Sequence, residues 1–386
     1  MLPAEEGYTL GGPACVERAI ESHQRRVAAQ VGALLPDSRL CALVLAGGYG
    51  RGEGGFRQHA GGVAPYNDYD YFVVVGGIGR RGLAELRGDL HRLGERLGRE
   101  FELEVDFAVL PAERLARLPA CLMYSELKWR HRTLLGDRQV LAAIPSPPAE
   151  QLPLSEFSRM MLNRGTLLLM NEQALSAGTT DAAMDCERFV RYVSKGLLAA
   201  ADARLAADGR YHPSLVVRGE RLRELAWSGE GRDRFLALYD EAVRIKLGGA
   251  SEATVDREGL VQLQSSAVRE WRAAFRLIEA RRLGRPFGSW VEYATAAVPK
   301  GQAAGRWWST AHHAWLAVSA GSDRLRRSAL RRVLAHPRER LMAALPLLLE
   351  RPGHDLRRAA EALGADPAAS WSELVETFLA DWRRYC

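Results

Sequence analysis

"LAGGYGRGEGG" (Leu45–Gly55) follows the apolar run "LCALVLA" (Leu40–Ala46), and "NDYDYFVVV" (Asn67–Val75) comes shortly after it. A short apolar run bounded by turn residues predicts a buried strand over Leu40–Ala46. The aromatic and β-branched run predicts a second over Tyr69–Val75. Between them "FRQHAGGVAPYN" (Phe56–Asn67) has two glycines, a proline and no helical period, and reads as a loop. Gly50, Gly52 and Gly55 satisfy the G-x-G-x-x-G of a dinucleotide loop, with Asp70 as a candidate ribose acid. That fingerprint needs a helix opened by its third glycine, which Phe56–Asn67 disfavours. A phosphate loop of the Gly-Lys-Ser/Thr type fits less well still, because no such ending is present. A merely flexible turn leaves the acids that follow unexplained.

Asp68 and Asp70 lie two apart at the start of a strand, so their side chains project from one face. In "ELEVDFAVLP" (Glu102–Pro111) the alternation puts Glu102, Glu104 and Asp106 on one face and Leu103, Val105 and Phe107 on the other. A third acid can therefore come alongside the first two. Carboxylates gathered this way raise one another's pKa unless a cation neutralises them, and hard divalent ions prefer oxygen ligands. Mg²⁺ is the simplest occupant. Two ions about 3.5–4 Å apart would serve the attacking and leaving oxygens of a phosphoryl transfer. A neighbouring glycine loop supplies backbone N–H groups for phosphates.

Strand, Gly-Gly, Asp-x-Asp opening a strand and a third acid on a later strand, over roughly Leu40–Leu110, resemble the polymerase-beta-type nucleotidyltransferase superfamily. "GGYGRGE" (Gly47–Glu53) is similar to the head of the uridylyltransferases that modify signalling proteins, and to minimal and antibiotic-modifying nucleotidyltransferases. The resemblance implies that Asp68 and Asp70 hold two Mg²⁺ ions, with Mn²⁺ an alternative. It implies that Asp106 holds the catalytic ion and assists deprotonation of an acceptor hydroxyl. Gly47 and Gly48 would face nucleotide phosphates. Glu104 competes with Asp106 for the third position; Asp106 is preferred because its neighbours Val105 and Phe107 are apolar, as in that family. Two departures stand out. Gly48 replaces the usual serine, and the long gap to Asp68 makes Phe56–Pro65 read as an insertion, either a lid or a substrate-facing loop. Arg51 suits bidentate phosphate recognition, and equally suits bracing the loop with Glu53. Lys195 reads as a solvated helix residue or, by the resemblance, as a lysine gripping the triphosphate.

Around this motif the chain has 386 residues, long enough for two or three domains. With 47% hydrophobic and 26% charged residues it reads as an ordinary globular protein. Its net charge of +6 permits an anionic ligand without requiring one. Cys15, Cys41, Cys121, Cys186 and Cys386 are scattered, with no Cys-x-x-Cys pair, and read as free thiols of a reducing compartment. "MLPAEEGYTL" lacks the basic start of a secretory signal, and no run is long enough to span a bilayer. A cytoplasmic protein is expected.

The expected fold class is α+β. A nucleotidyltransferase head with a mixed sheet spans residues 1–144, with a leading helix over Val16–Leu35 and another carrying Leu83, Leu86, Leu90, Leu93 and Leu97. A linker follows at 145–153, where Pro145, Pro147, Pro148 and Pro153 cluster. A large all-helical domain covers 154–386. Its expected helices are 156–175, 185–207, 233–247, 267–283, 306–320, 324–335, 338–350, 355–363 and 371–384. The arginine-rich 324–335 reads as an amphipathic surface helix, with a tRNA-binding face as the alternative. His312 and His313 lack zinc-ligand spacing, and no DNA-binding module is inferred.

The resulting expectation is transfer of a nucleoside monophosphate from an NTP, ATP by default, to an acceptor on a small molecule such as an aminoglycoside, sugar or other metabolite. Alternatives are a protein or tRNA acceptor, or a non-catalytic nucleotide sensor. The sequence does not specify the oligomeric state.

Overall fold

The computed structural model describes residues 7–36, 38–59, 62–177, 185–227, 231–248, 256–296, 337–350 and 356–386. The chain forms an α+β head followed by a helical region, and divides into two compact units. The first comprises residues up to Pro153 together with Tyr211–Ala226 and Val243–Glu252.

In the first unit, helix α1 (Ala14–Leu34) buries Val16, Ile20, Val27 and Val31, the stripe its 3.6-residue repeat produces. Strand β1 (Leu40–Leu45) leads into the short helix α2 (Gly47–Arg51). The ribbon β2 (Phe56–His59) and β3 (Gly62–Pro65) precedes β4 (Tyr69–Val75). Helix α3 (Arg80–Phe101), β5 (Val105–Pro111), α4 (Leu122–Trp129) and β6 (Arg132–Gly136) complete the run. The main sheet has the order β5-β4-β1-β6. Strands β4 and β5 are parallel, as a helical crossover allows, while β1 is antiparallel to both β4 and β6.

Alternation along β4 builds two cores. Tyr69, Tyr71, Val73 and Val75 face α1 and α3, with Val105 and Val109 of β5. Phe72 and Val74 face the opposite layer, with Ala42, Val44 and Leu127 of α4. Helix α3 approaches β5 closely because residue 94 has no side chain: a Cβ there would sit 2.4 Å from the Val105 carbonyl oxygen.

Several elements differ from the sequence expectation. Phe56–Asn67, read as a loop, contains an antiparallel ribbon pairing Phe56 with Pro65 and His59 with Gly62. Four-residue strands interrupted by glycine and proline are too short to show a period. The strand expected from Glu102 starts at Val105, since Glu102 is the left-handed cap of α3, at φ 56°. Helix α7 (Leu215–Glu224), inside the sequence expected to form the helical domain, belongs to the first unit, as does the end of α8 (Arg232–Gly248) from Val243 onward.

The second unit is built on α5 (Leu154–Ser176), α6 (Cys186–Ala207) and α9 (Arg257–Leu283), with α10 (Trp290–Thr295). It also holds α11 (Pro337–Leu348), α12 (Leu356–Leu363) and α13 (Trp371–Tyr385). Trp271 packs over Gly165 and donates its indole N–H to the Met161 carbonyl at 3.0 Å. The fully buried Glu279 is satisfied by Arg282 at 2.8 and 2.6 Å, by Tyr293 Oη at 2.7 Å and by the Ser158 hydroxyl. The helices expected at 306–320 and 324–335, with His312 and His313, lie outside the described residues. Among the described residues no helix is long and apolar enough to cross a membrane.

Gly94→Val should force α3 away from β5 and cost about 1–3 kcal/mol of stability, the usual range for overpacking. Urea unfolding measures it; an unchanged midpoint would show that the contact is not close-packed.

Candidate functional site

The site grows out of the alternation in β4. Because Tyr69 and Tyr71 turn toward α1 and α3, Asp70 must turn to the other face, the side of Phe72 and Val74. Asp70 is the register partner of Asp106 on β5. Neighbouring strands run about 4.8 Å apart, so the pairing sets these two acids side by side on one face. Asp68 is exposed, one residue ahead of β4. Glu104 lies just ahead of β5, is exposed, and accepts the Tyr69 N–H at its backbone carbonyl at 2.9 Å.

The glycine stretch meets these acids at its first residue. Gly47 has φ +63°, and a Cβ there would lie 2.4 Å from Asp70 Oδ2, so a side chain at 47 is excluded both by conformation and by space. The Ala46 N–H donates to the Asp70 carbonyl at 2.8 Å, tying the end of β1 to the start of β4. Helix α2 therefore opens at Gly47 and closes at the left-handed Gly52. Gly55, the third glycine of the dinucleotide pattern, lies beyond this helix and opens none.

Two residues passed over in the sequence reading set the return of the chain. Tyr49 is fully buried; its hydroxyl donates to the Gly55 carbonyl at 2.6 Å and accepts from Tyr66 N at 3.0 Å and Asn67 N at 3.2 Å. The Asn67 side-chain oxygen accepts the Gly55 N–H. Burial pushes the Tyr49 phenol up to about 12 despite the two backbone donors, so it stays neutral at physiological pH. Together these bonds close the β2–β3 excursion and deliver Asp68 next to the loop. The only sequence signal was a tyrosine inside a glycine run and an asparagine just before the acids.

The chain before α1 also reaches the loop. Gly54 N donates to Tyr8 O at 3.0 Å, and Thr9 bridges Gly54. Glu17 of α1 holds this arm by accepting from Tyr8 N at 2.6 Å and Thr9 N at 2.9 Å. Arg132 adds a donor to Gly7 O at 2.6 Å and lies over the Tyr8 ring.

Burial, with the nearby charges of Asp68 and Asp106, raises Asp70 to about 6; Arg51 and Lys246 oppose the shift only in part. Lys246, near the end of α8, also had no part in the sequence reading. Arg51 is buried, with Nη1 3.3 Å from Glu126 Oε2 and Nε 3.8 Å from Glu53 Oε2. Lys195 lies on α6, in the unit that does not carry the acids.

Among the described residues no group of three His, Cys, Asp or Glu side chains is placed to hold a metal ion. Asp68, Asp70 and Asp106 form an open set, coupled through their charges. Its chemistry is all carboxylate, with neither thiolate nor imidazole, and its unneutralised charge suits a hard divalent cation such as Mg²⁺ or Mn²⁺.

Two measurements follow from this electrostatics and bonding. A carboxyl raised in the folded state binds its proton more tightly there than when unfolded, so its ionisation weakens the fold above pH 6. The penalty fades as the pH falls through 6 toward 4. In divalent-free buffer Asp70→Asn should therefore stabilise the protein by on the order of 2 kcal/mol at pH 7, with little gain at pH 4. Equal effects at both pH values would rule out the raised carboxyl. Tyr49→Phe, which removes the hydroxyl acceptor of the Asn67 N–H and leaves the Tyr66 N–H only the Gly55 carbonyl at 3.1 Å, should cost about 1–2 kcal/mol in urea unfolding. No family model matches this chain, and no curated protein matches it significantly.

Proposed function

We propose that the chain is a Mg²⁺-dependent nucleotidyltransferase, moving a nucleoside monophosphate from an NTP to an acceptor and releasing pyrophosphate. The observation that carries this reading is the register pair Asp70 and Asp106, with Asp68 two residues ahead and Gly47 pressed against the Asp70 carboxylate. Asp68, Asp70 and Asp106 are the residues that would hold the cation, or two cations. When bound, the metal supplies charge stabilisation to the phosphate oxygens.

The chain's own groups have distinct tasks. Gly47 and Gly48 begin α2, where the first backbone N–H groups have no acceptor within the helix, and they offer these donors to phosphate oxygens. Asp70, raised by burial and by its like-charged neighbours, is the carboxylate whose charge most needs a cation. Asp106 is exposed beside it and is the group assigned to orient the acceptor and take up its proton. The acceptor oxygen then bonds to the α-phosphorus as the bond to the β-phosphate oxygen breaks. In-line placement and electrostatic stabilisation carry such a transfer.

A small hydroxylated acceptor is preferred, because the charge balance is modest and the sequence offers no strong nucleic-acid module. Labelled ATP, CTP, GTP and UTP incubated with the full chain, Mg²⁺ and cell extract should label the small-molecule fraction. Label in RNA or protein would replace that acceptor class, and tight NTP binding with no pyrophosphate from any fraction would favour a sensor. Asp70→Ala and Asp106→Asn should each lower turnover by roughly 10²–10³-fold, the size expected when a preorganised charge contact is lost. Unchanged turnover in Asp70→Ala would sink the proposal.

A further inference from the structure

Arg51 and Glu53, the two charged residues of the glycine stretch, turn inward. Both are buried, and Arg51 Nε and Glu53 Oε2 have no hydrogen-bond partner, facing each other at 3.8 Å. One further atom of each is engaged. Arg51 Nη1 donates to Glu126 Oε2 on α4. Glu53 Oε1 accepts from the Ser214 hydroxyl at 2.7 Å and from the Leu215 N–H at 2.9 Å, where α7 begins. Glu126 Oε1 accepts from the Tyr211 hydroxyl. Burial pushes the Glu126 carboxyl up, but Arg51, Arg218 and the Tyr211 bond outweigh it and hold the group ionised.

Positive and negative groups therefore alternate from Glu53 through Arg51 and Glu126 to Arg218. A buried charge persists only when paired. Drawing Arg51 out to a phosphate would leave Glu53 and Glu126 facing one another without the guanidinium between them.

We propose that Arg51, Glu53 and Glu126 form an ionic clasp fastening the glycine loop to Tyr211–Leu215, and that Arg51 is a positioning residue, not a phosphate ligand. The clasp holds α2, and with it Gly47 and Gly48, against Asp70. The reaction so served rests on the nucleotidyl-transfer reading; the clasp itself does not.

Amide hydrogen exchange on the full chain tests the clasp without nucleotide. Glu53→Ala should speed exchange at Leu215–Arg218 by ~10-fold or more, while Glu53→Gln, which keeps an oxygen acceptor, should restore most of the protection. Should Glu53→Ala fail to fold, Ser214→Ala removes one of the same bonds and should loosen the same amides. Unchanged exchange at these amides overturns the clasp. Arg51→Lys should lower kcat by ~10-fold with KM for Mg-ATP within about threefold, because lost positioning acts on turnover and not on binding. A rise in KM of ~10-fold or more with kcat retained would make Arg51 a phosphate ligand and overturn the positioning role. If the native chain neither binds nor turns over any of the four NTPs, the nucleotide reading fails while the exchange experiment still decides the clasp.

Discussion

Two like charges held side by side are the constraint on which the head depends. Parallel pairing of β4 with β5 fixes Asp70 opposite Asp106, and the backbone bonds that fix them do not respond to their repulsion. Burial adds to the cost, and the surrounding cations answer it only in part. A fold selected for stability alone would place an apolar pair there, as it does two residues later with Phe72 and Ala108. Such a local conflict is the usual mark of a site kept for chemistry.

The rest of the head holds that pair against its neighbours. Tyr49 closes the ribbon, the arm before α1 covers Gly54, and the buried Arg51 lies between two carboxylates. Tyr49 and the arm before α1 grip the loop through the backbone of its glycines, at the Gly55 carbonyl and the Gly54 N–H. The glycines supply close approach and unusual backbone angles; the side chains between them supply rigidity. That division explains how so glycine-dense a segment can hold one conformation.

Much of this was legible in the sequence, for a physical reason. Alternation is a strict two-residue signal, so "YDYFVVV" showed Asp70 on the face opposite Tyr69 and Tyr71, and leucine spacing marked α3. Register was not legible: nothing in "ELEVDFAVLP" says that Asp106, and not Glu104, lies level with Asp70. The short ribbon, α4 and β6 fall below the length at which a period can be seen. Helix α7 was hidden differently, because a helix sequence does not disclose which unit it packs in. Its start is specified by Glu53, far away in the chain.

The head is discontinuous in sequence, and this bears on how the chain is made. A ribosome releases the sheet and glycine loop early, but Ser214 and Leu215, which receive Glu53, emerge only after α5 and α6, and Lys246 later still. Until then Glu53 and Arg51, both buried in the finished head, have no completed surroundings. The full set of contacts in the head can form only once those later segments are made, and a fragment ending at Pro153 would lack Ser214, Leu215 and Lys246.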